Sequence, residues 1–257
     1  GFILSASIVG SGELIATTQL GAKAGFVAMW VILVSCLVKV AVQLEFGKRA
    51  IMTGETTFAS FNSLPGPKLG KANWTVWTWL VLMLIKFLQV GAIVGLVSVL
   101  LNMAFPGLSD FWWLIIVVIA ISSIVVSGYY KILEVLSVSM IGLFTIFTFF
   151  SLIALQSTES AISIANITSG LQFKIPEGAG MAIVVIGAFG LTGVGGDEIM
   201  AYNYWLIEKG YASNTGQNDG SEEWNRRAKG WIKVMYIDAI FAMIVYTLVT
   251  VAFFLLG

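Results

Sequence analysis

Seven long apolar runs constrain this chain more than anything else in it. They cover about 2–20, 25–46, 75–103, 111–128, 131–155, 179–207 and 231–256. A helix needs about 20 mostly apolar residues to cross a hydrocarbon core of about 30 Å. The runs are too long for strands and lack period-two alternation, so helices are expected. The runs 75–103 and 179–207 are longer than one crossing needs, which predicts tilt or extension beyond the bilayer. Composition agrees: 58% of the residues are hydrophobic and 11% charged, against about 45–50% and about 25% in soluble domains. No core the chain could build for itself would hide that surface. The predicted class is an all-α polytopic membrane protein, with the lipid bilayer as its solvent.

The same composition excludes several functions. There is no histidine and one cysteine, Cys36, which lies in an apolar run. A disulfide framework and a Cys/His metal centre are therefore ruled out within these residues. No nucleophile–base pair is visible, so an enzyme is not expected. The net charge is zero, and nothing points to nucleic acid. No cofactor is called for. The chain begins at Gly1 inside apolar sequence and ends at Gly257 after an apolar run, so it reads as part of a longer protein.

Loop charges predict orientation. Residues 47–74, 129–131 and 208–230 fall on one side and carry Lys48, Arg49, Lys68, Lys71, Lys131, Lys209, Arg226, Arg227 and Lys229, with Lys233 just inside the last run. The opposite side has Lys23 and Lys174. The positive-inside rule then puts the N-terminus in the cytoplasm and Gly257 outside, in a plasma (inner) membrane. The polar stretch 211–230, rich in Gly and Asn, reads as a flexible connection. Trp74, Trp77, Trp79, Trp112 and Trp113 cluster near run ends, as an aromatic belt would.

Two runs are interrupted near their middles. The first reads VGSGEL, with Gly10, Ser11, Gly12 and Glu13. The sixth reads VGGDEI, with Gly195, Gly196, Asp197 and Glu198. The two stretches agree in order and lie five helices apart, in helices that run in opposite directions. Transporters built from inverted repeats place discontinuous helices at such positions and form the substrate site where they meet at the midplane. Glycine supplies the permissive dihedrals, and the freed carbonyls become ion ligands. Small residues at helix–helix contacts would look similar at Gly10. Adjacent carboxylates in an apolar run are harder to explain that way, since each charge costs about 2.5–3.5 kcal/mol to insert.

Glu13, Asp197 and Glu198 together favour a cation, and a divalent one best. The remaining donors are oxygens: backbone carbonyls near Gly10 and Gly195, and Thr17, Gln19 and Asn203. Such a set suits Mg²⁺, Mn²⁺ or Ca²⁺ over copper or zinc. Lys86 and Gln89 share a face of the third run and are candidates for lining the inner pathway, or for a buried polar contact. Lys39 is expected to pair with Glu45 or to snorkel rather than to bind substrate.

The stretches GFILSASIVGSGELIATTQLGAKAGF, VQLEFGKRAIMTGET and GDEIMAYNYWLIEKGY resemble the NRAMP family of divalent metal transporters, from the first run to the seventh. The resemblance is closest to the NRAMP-related branch that carries Mg²⁺ and Mn²⁺. It implies a leucine-transporter-type fold of two inverted five-helix repeats, with helices 1 and 6 broken. On that reading 1–155 is the first repeat, 156–178 an outer loop and 179–257 the start of an incomplete second repeat. The family's Asp-Pro-Gly-Asn is replaced by Gly10-Ser11-Gly12-Glu13, and its Met-Pro-His by Gly195-Gly196-Asp197. The soft methionine ligand and the sixth-helix histidines tied to proton movement are thus missing. These departures imply a harder ion and passage without proton coupling. The implied function is transport of a divalent metal ion by alternating access. The alternatives are an amino acid or amine transporter of the same fold, and a metal-binding sensor that moves nothing.

Overall fold

The computed structural model describes residues 12–127 and 130–257. Gly10 and Ser11 lie outside the described residues, as does the side chain of Glu13. From the N-terminal side come a π-helical stretch Gly12–Thr17, α1 (Thr18–Ala24), a 3₁₀ turn Gly25–Ala28 and α2 (Met29–Thr53). Next are α3 (Thr57–Asn62), a hairpin of β1 (Lys68–Leu69) and β2 (Ala72–Asn73), α4 (Trp74–Ala104), α5 (Asp110–Val126) and α6 (Tyr130–Leu155). The remainder is α7 (Ile164–Gly170), α8 (Met181–Leu191), α9 (Gly196–Glu208), α10 (Tyr211–Thr215) and α11 (Glu222–Leu256).

Among the described residues, five helical stretches are long and apolar enough to cross a membrane: Leu14–Thr53, Trp74–Ala104, Val138–Leu155, Met181–Glu208 and Glu222–Leu256. The helix Asp110–Val126 is apolar but shorter. The described part of the run expected at 2–20 and the run expected at 25–46 therefore fall in one stretch of 40 residues, Leu14–Thr53. At 1.5 Å per residue it would be about 60 Å long if straight, twice the hydrocarbon core. It is not straight: Gly25 takes φ 60° at the end of α1, a conformation that glycine adopts without a Cβ penalty.

The chain forms two compact units, one of Gly1–Thr57 with Val138–Gly257 and one of Phe58–Ser137. In the second unit the hairpin pairs Lys68 with Asn73 and Leu69 with Ala72. Asn73 then starts α4. Its side chain accepts from Thr75 N at 3.2 Å and donates to Leu64 O at 2.7 Å. The helices α4 and α5 pack together, tied by Asn102 Nδ2 donating to Asp110 Oδ1 at 2.6 Å. Around α4, Leu84, Phe87, Leu88 and Leu100 are all exposed. A helix that is apolar all round belongs in lipid.

The first unit is built on α2 and α11. Its core includes Ile32 and Ile51 of α2, Tyr202 of α9, and Met235, Tyr246 and Phe254 of α11. Close approach depends on two glycines. A Cβ on Gly47 of α2 would strike Met235 Sδ and come within 3.0 Å of Leu206 Cδ1. A Cβ on Gly21 of α1 would strike the carbonyl oxygen of Phe254.

The stretch 211–230 differs from the flexible connection its composition suggests. It holds α10 and the first turns of α11. Ser221 caps α11, accepting from Trp224 N at 3.0 Å. The Trp224 indole is buried and donates to Gly216 O at 2.9 Å. Arg227 Nε donates to Thr215 O at 3.2 Å, and the Tyr211 and Trp231 rings lie 4.8 Å apart. One buried indole outweighs the local bias of Gly and Asn toward disorder, because it recovers several kcal/mol of apolar burial.

Candidate metal site

The apolar run at 179–207 is a broken helix. The first half, α8, ends at Leu191 and the second half, α9, begins at Gly196. Between them Thr192 is extended, Gly193 takes φ 75° and Gly195 is extended. Gly193 is the residue that allows this turn, since a side chain there would be strained.

A break in a membrane helix strands carbonyls at one end and N–H groups at the other. Both ends have donors or acceptors here. Ala188 O accepts from Thr192 N at 2.9 Å and from Thr192 Oγ1 at 2.6 Å. Phe189 O accepts from Ser35 Oγ at 2.7 Å. Gly190 O accepts from Lys39 Nζ at 2.8 Å. The Thr192 carbonyl receives both Lys39 Nζ and, at 3.1 Å, Ser35 Oγ. A cation suits this end, because the helix dipole leaves partial negative charge there, worth about 0.3–1 kcal/mol when exposed and up to about 2 when part-buried. Glu45, the partner considered for Lys39 from sequence, pairs with Lys48 at 3.4 Å.

At the other end, Asp197 and Glu198 occupy the first turn of α9. The Glu198 carboxylate folds back to accept Gly195 N–H. This is half of a capping box; the reciprocal half needs a side chain that Gly195 lacks. Negative charge is favoured at this end by the same dipole. Met200 is buried and lies about 200° around the helix from Glu198.

The first break is described only in part. Glu13 falls in the π-helical stretch Gly12–Thr17, which packs against α8 and α11. The segment carrying Glu13 thus lies against the half-helix that leads into the second break. A π-helical turn is rare and is frequently found at functional sites. Thr17 is fully buried, whereas Gln19 is exposed. Asn203 on α9 is buried, and its Oδ1 has no hydrogen-bond partner among the described residues. Lys86, half-buried, and Gln89, exposed, lie on α4 in the second unit. Among the described residues no group of three or more Asp, Glu, Cys or His side chains gathers at one point.

The whole chain bears on what such a break is for. Residues 1–256 match the family model Nramp, natural resistance-associated macrophage protein-like. The chain belongs to the Nramp family. Nramp proteins are integral, multi-pass membrane transporters of divalent metal ions, not enzymes. No curated protein and no solved structure matches the chain.

Two features of this Nramp chain escaped sequence reasoning. Ser35, Lys39, Gln43 and Gly47 recur every four residues on α2, so they share a face. That face follows the broken helix from the end of α8 down α9: Ser35 and Lys39 meet Phe189, Gly190 and Thr192, and Gly47 meets Tyr202 and Leu206. Gln43 is fully buried, its amide beside the Tyr202 hydroxyl but outside hydrogen-bonding geometry. The polar spacing in an apolar run was the available signal. The second feature is Cys36. Its Sγ lies 3.4 Å from the position a Gly193 Cβ would take, so a soft donor stands beside a break that seemed to have none.

Proposed function

We propose that this Nramp protein carries a hard divalent cation, Mg²⁺ or Mn²⁺, by alternating access between inverted repeats of the leucine-transporter type. Glu13, Asp197 and Glu198 bind the ion, with carbonyls near Gly10 and Gly195. Thr17, Gln19, Lys86, Gln89 and Asn203 are pathway candidates. The observation that carries this reading is the break at 192–195, with two carboxylates on the first turn after it. Charge supports it: three carboxylates favour a cation, and a divalent one offsets them best. The oxygen-rich ligand set and the absence of histidine favour a hard ion. The loop lysines and arginines favour a cytoplasmic N-terminus in a plasma membrane.

Uptake of Mg²⁺, Mn²⁺ and Cd²⁺ into proteoliposomes at two pH values tests it. Mg²⁺ or Mn²⁺ flux is expected at both, lost in Glu13→Gln and Asp197→Asn. Unchanged flux in both variants would remove these residues from the site. Cys36 beside Gly193 favours a second reading, a softer ion. Cd²⁺ uptake that exceeds Mg²⁺ uptake and falls in Cys36→Ser would select it.

A further inference from the structure

The carbonyl end of α8 is a place where a transporter of this build could hold a second cation. Half-helix C-termini and unwound carbonyls coordinate small monovalent ions at such breaks. In this chain the place is already claimed. Lys39 Nζ donates to Gly190 O at 2.8 Å and also to Thr192 O. Ser35 Oγ reaches Phe189 O at 2.7 Å and Thr192 O at 3.1 Å. These are oxygens at the end of one half-helix and the start of the break, gathered by two donors one turn apart on α2.

We propose that Lys39 is a tethered cation that stands in for a bound monovalent ion at the carbonyl end of α8. The ammonium is held by its own side chain, so this end is charged and occupied in every molecule. Sodium, lithium or potassium then has no vacant carbonyl set to fill, and the half-helix stays neutralised without a coupling ion. Lys39 is a positioning residue: it acts on the break through the Gly190 and Thr192 carbonyls and leaves the carboxylates of α9 to the cargo. The proposal does not depend on which divalent ion is carried, because its test uses monovalent ions alone.

The test is thermal unfolding of the purified full chain in detergent, titrated with NaCl, LiCl or choline chloride at constant ionic strength. The wild type should melt at the same temperature in all three. Lys39→Met frees the carbonyls, so sodium or lithium should raise its melting temperature relative to choline, saturably. Lys39→Arg keeps the charge and should stay indifferent. If Lys39→Met does not survive extraction, Lys39→Gln carries the same comparison, since its amide keeps an N–H donor without charge. A neutral variant that folds and ignores both ions would overturn the proposal. So would a wild type that responds as strongly as the neutral variants.

Discussion

The Glu198 carboxylate accepts the backbone N–H of Gly195, the last residue of the break before α9. A carboxylate used this way is already doing structural work, so its role as a metal ligand has to be separated from its role as a cap. Glu198→Ala should cost about 1 kcal/mol of stability, the usual loss for a cap, read as a lower melting temperature in detergent. Glu198→Gln keeps an acceptor oxygen and should retain most of that stability. Divalent uptake that falls in Glu198→Gln at unchanged melting temperature marks a ligand. Uptake that only follows the melting temperature across both variants marks a cap alone.

Gly21 and Gly47 set how closely α11 approaches its neighbours. A methyl on Gly21 meets the backbone carbonyl of Phe254, which cannot rotate away, whereas one on Gly47 first meets the flexible end of Met235. Overpacking typically costs about 1–3 kcal/mol. Gly21→Ala should fall at the upper part of that range and Gly47→Ala at the lower. Gly47→Ala with Met235→Ala should recover part of the steric loss, measured by a double-mutant cycle on thermal stability.

Much of this arrangement was legible in the chain itself. Adjacent carboxylates inside the run 179–207 announce an interruption, because each charge costs about 2.5–3.5 kcal/mol to insert, and the glycines beside them supply the dihedrals a break needs. The partner of the break was not legible. Lys39 and Thr192 are 153 positions apart, and the spacing of Ser35, Lys39, Gln43 and Gly47 defines a face without saying what covers it. Cys36 shows the same limit: its neighbours in sequence are apolar, and its neighbour in space is Gly193. The Gly and Asn content of 211–230 describes backbone freedom and says nothing of where Trp224 is buried.

Trp224 is the test of that last point. Trp224→Ala removes a buried indole and should cost about 3–5 kcal/mol. Trp224→Phe keeps most of the apolar contact but loses the hydrogen bond to Gly216 O, worth about 0.5–1.5 kcal/mol. Limited proteolysis should show cleavage between 211 and 221 rising in that order, from wild type through Trp224→Phe to Trp224→Ala.

Asp219 supplies an acid-sensitive element in the same connection. Its carboxylate accepts Ser221 N–H at 2.9 Å, and bonds to Ser221 hold its pKa below the ordinary 3.8. The folded form therefore favours the ionised group. The unfolded chain binds more protons in the window between the lowered value and 3.8, so stability rises with pH across it. The contribution is complete above 3.8 and fades as pH falls through the folded value. Asp219→Asn keeps an acceptor oxygen but cannot titrate, so its melting temperature should depend less on pH in that acid window than the wild type's does.

The continuous helix α11 has a mechanical consequence. Its 35 residues make a rod of about 52 Å. It is clamped near one end by the Trp224 indole and near the other by the crossing at Gly21. With α2 packed along it, it forms a strut that resists bending. At residues 192–195, where the broken helix has no ladder of its own, the Thr192 carbonyl is tied to this frame by Lys39 and Ser35 of α2, so the strut holds the two half-helices in register across the break.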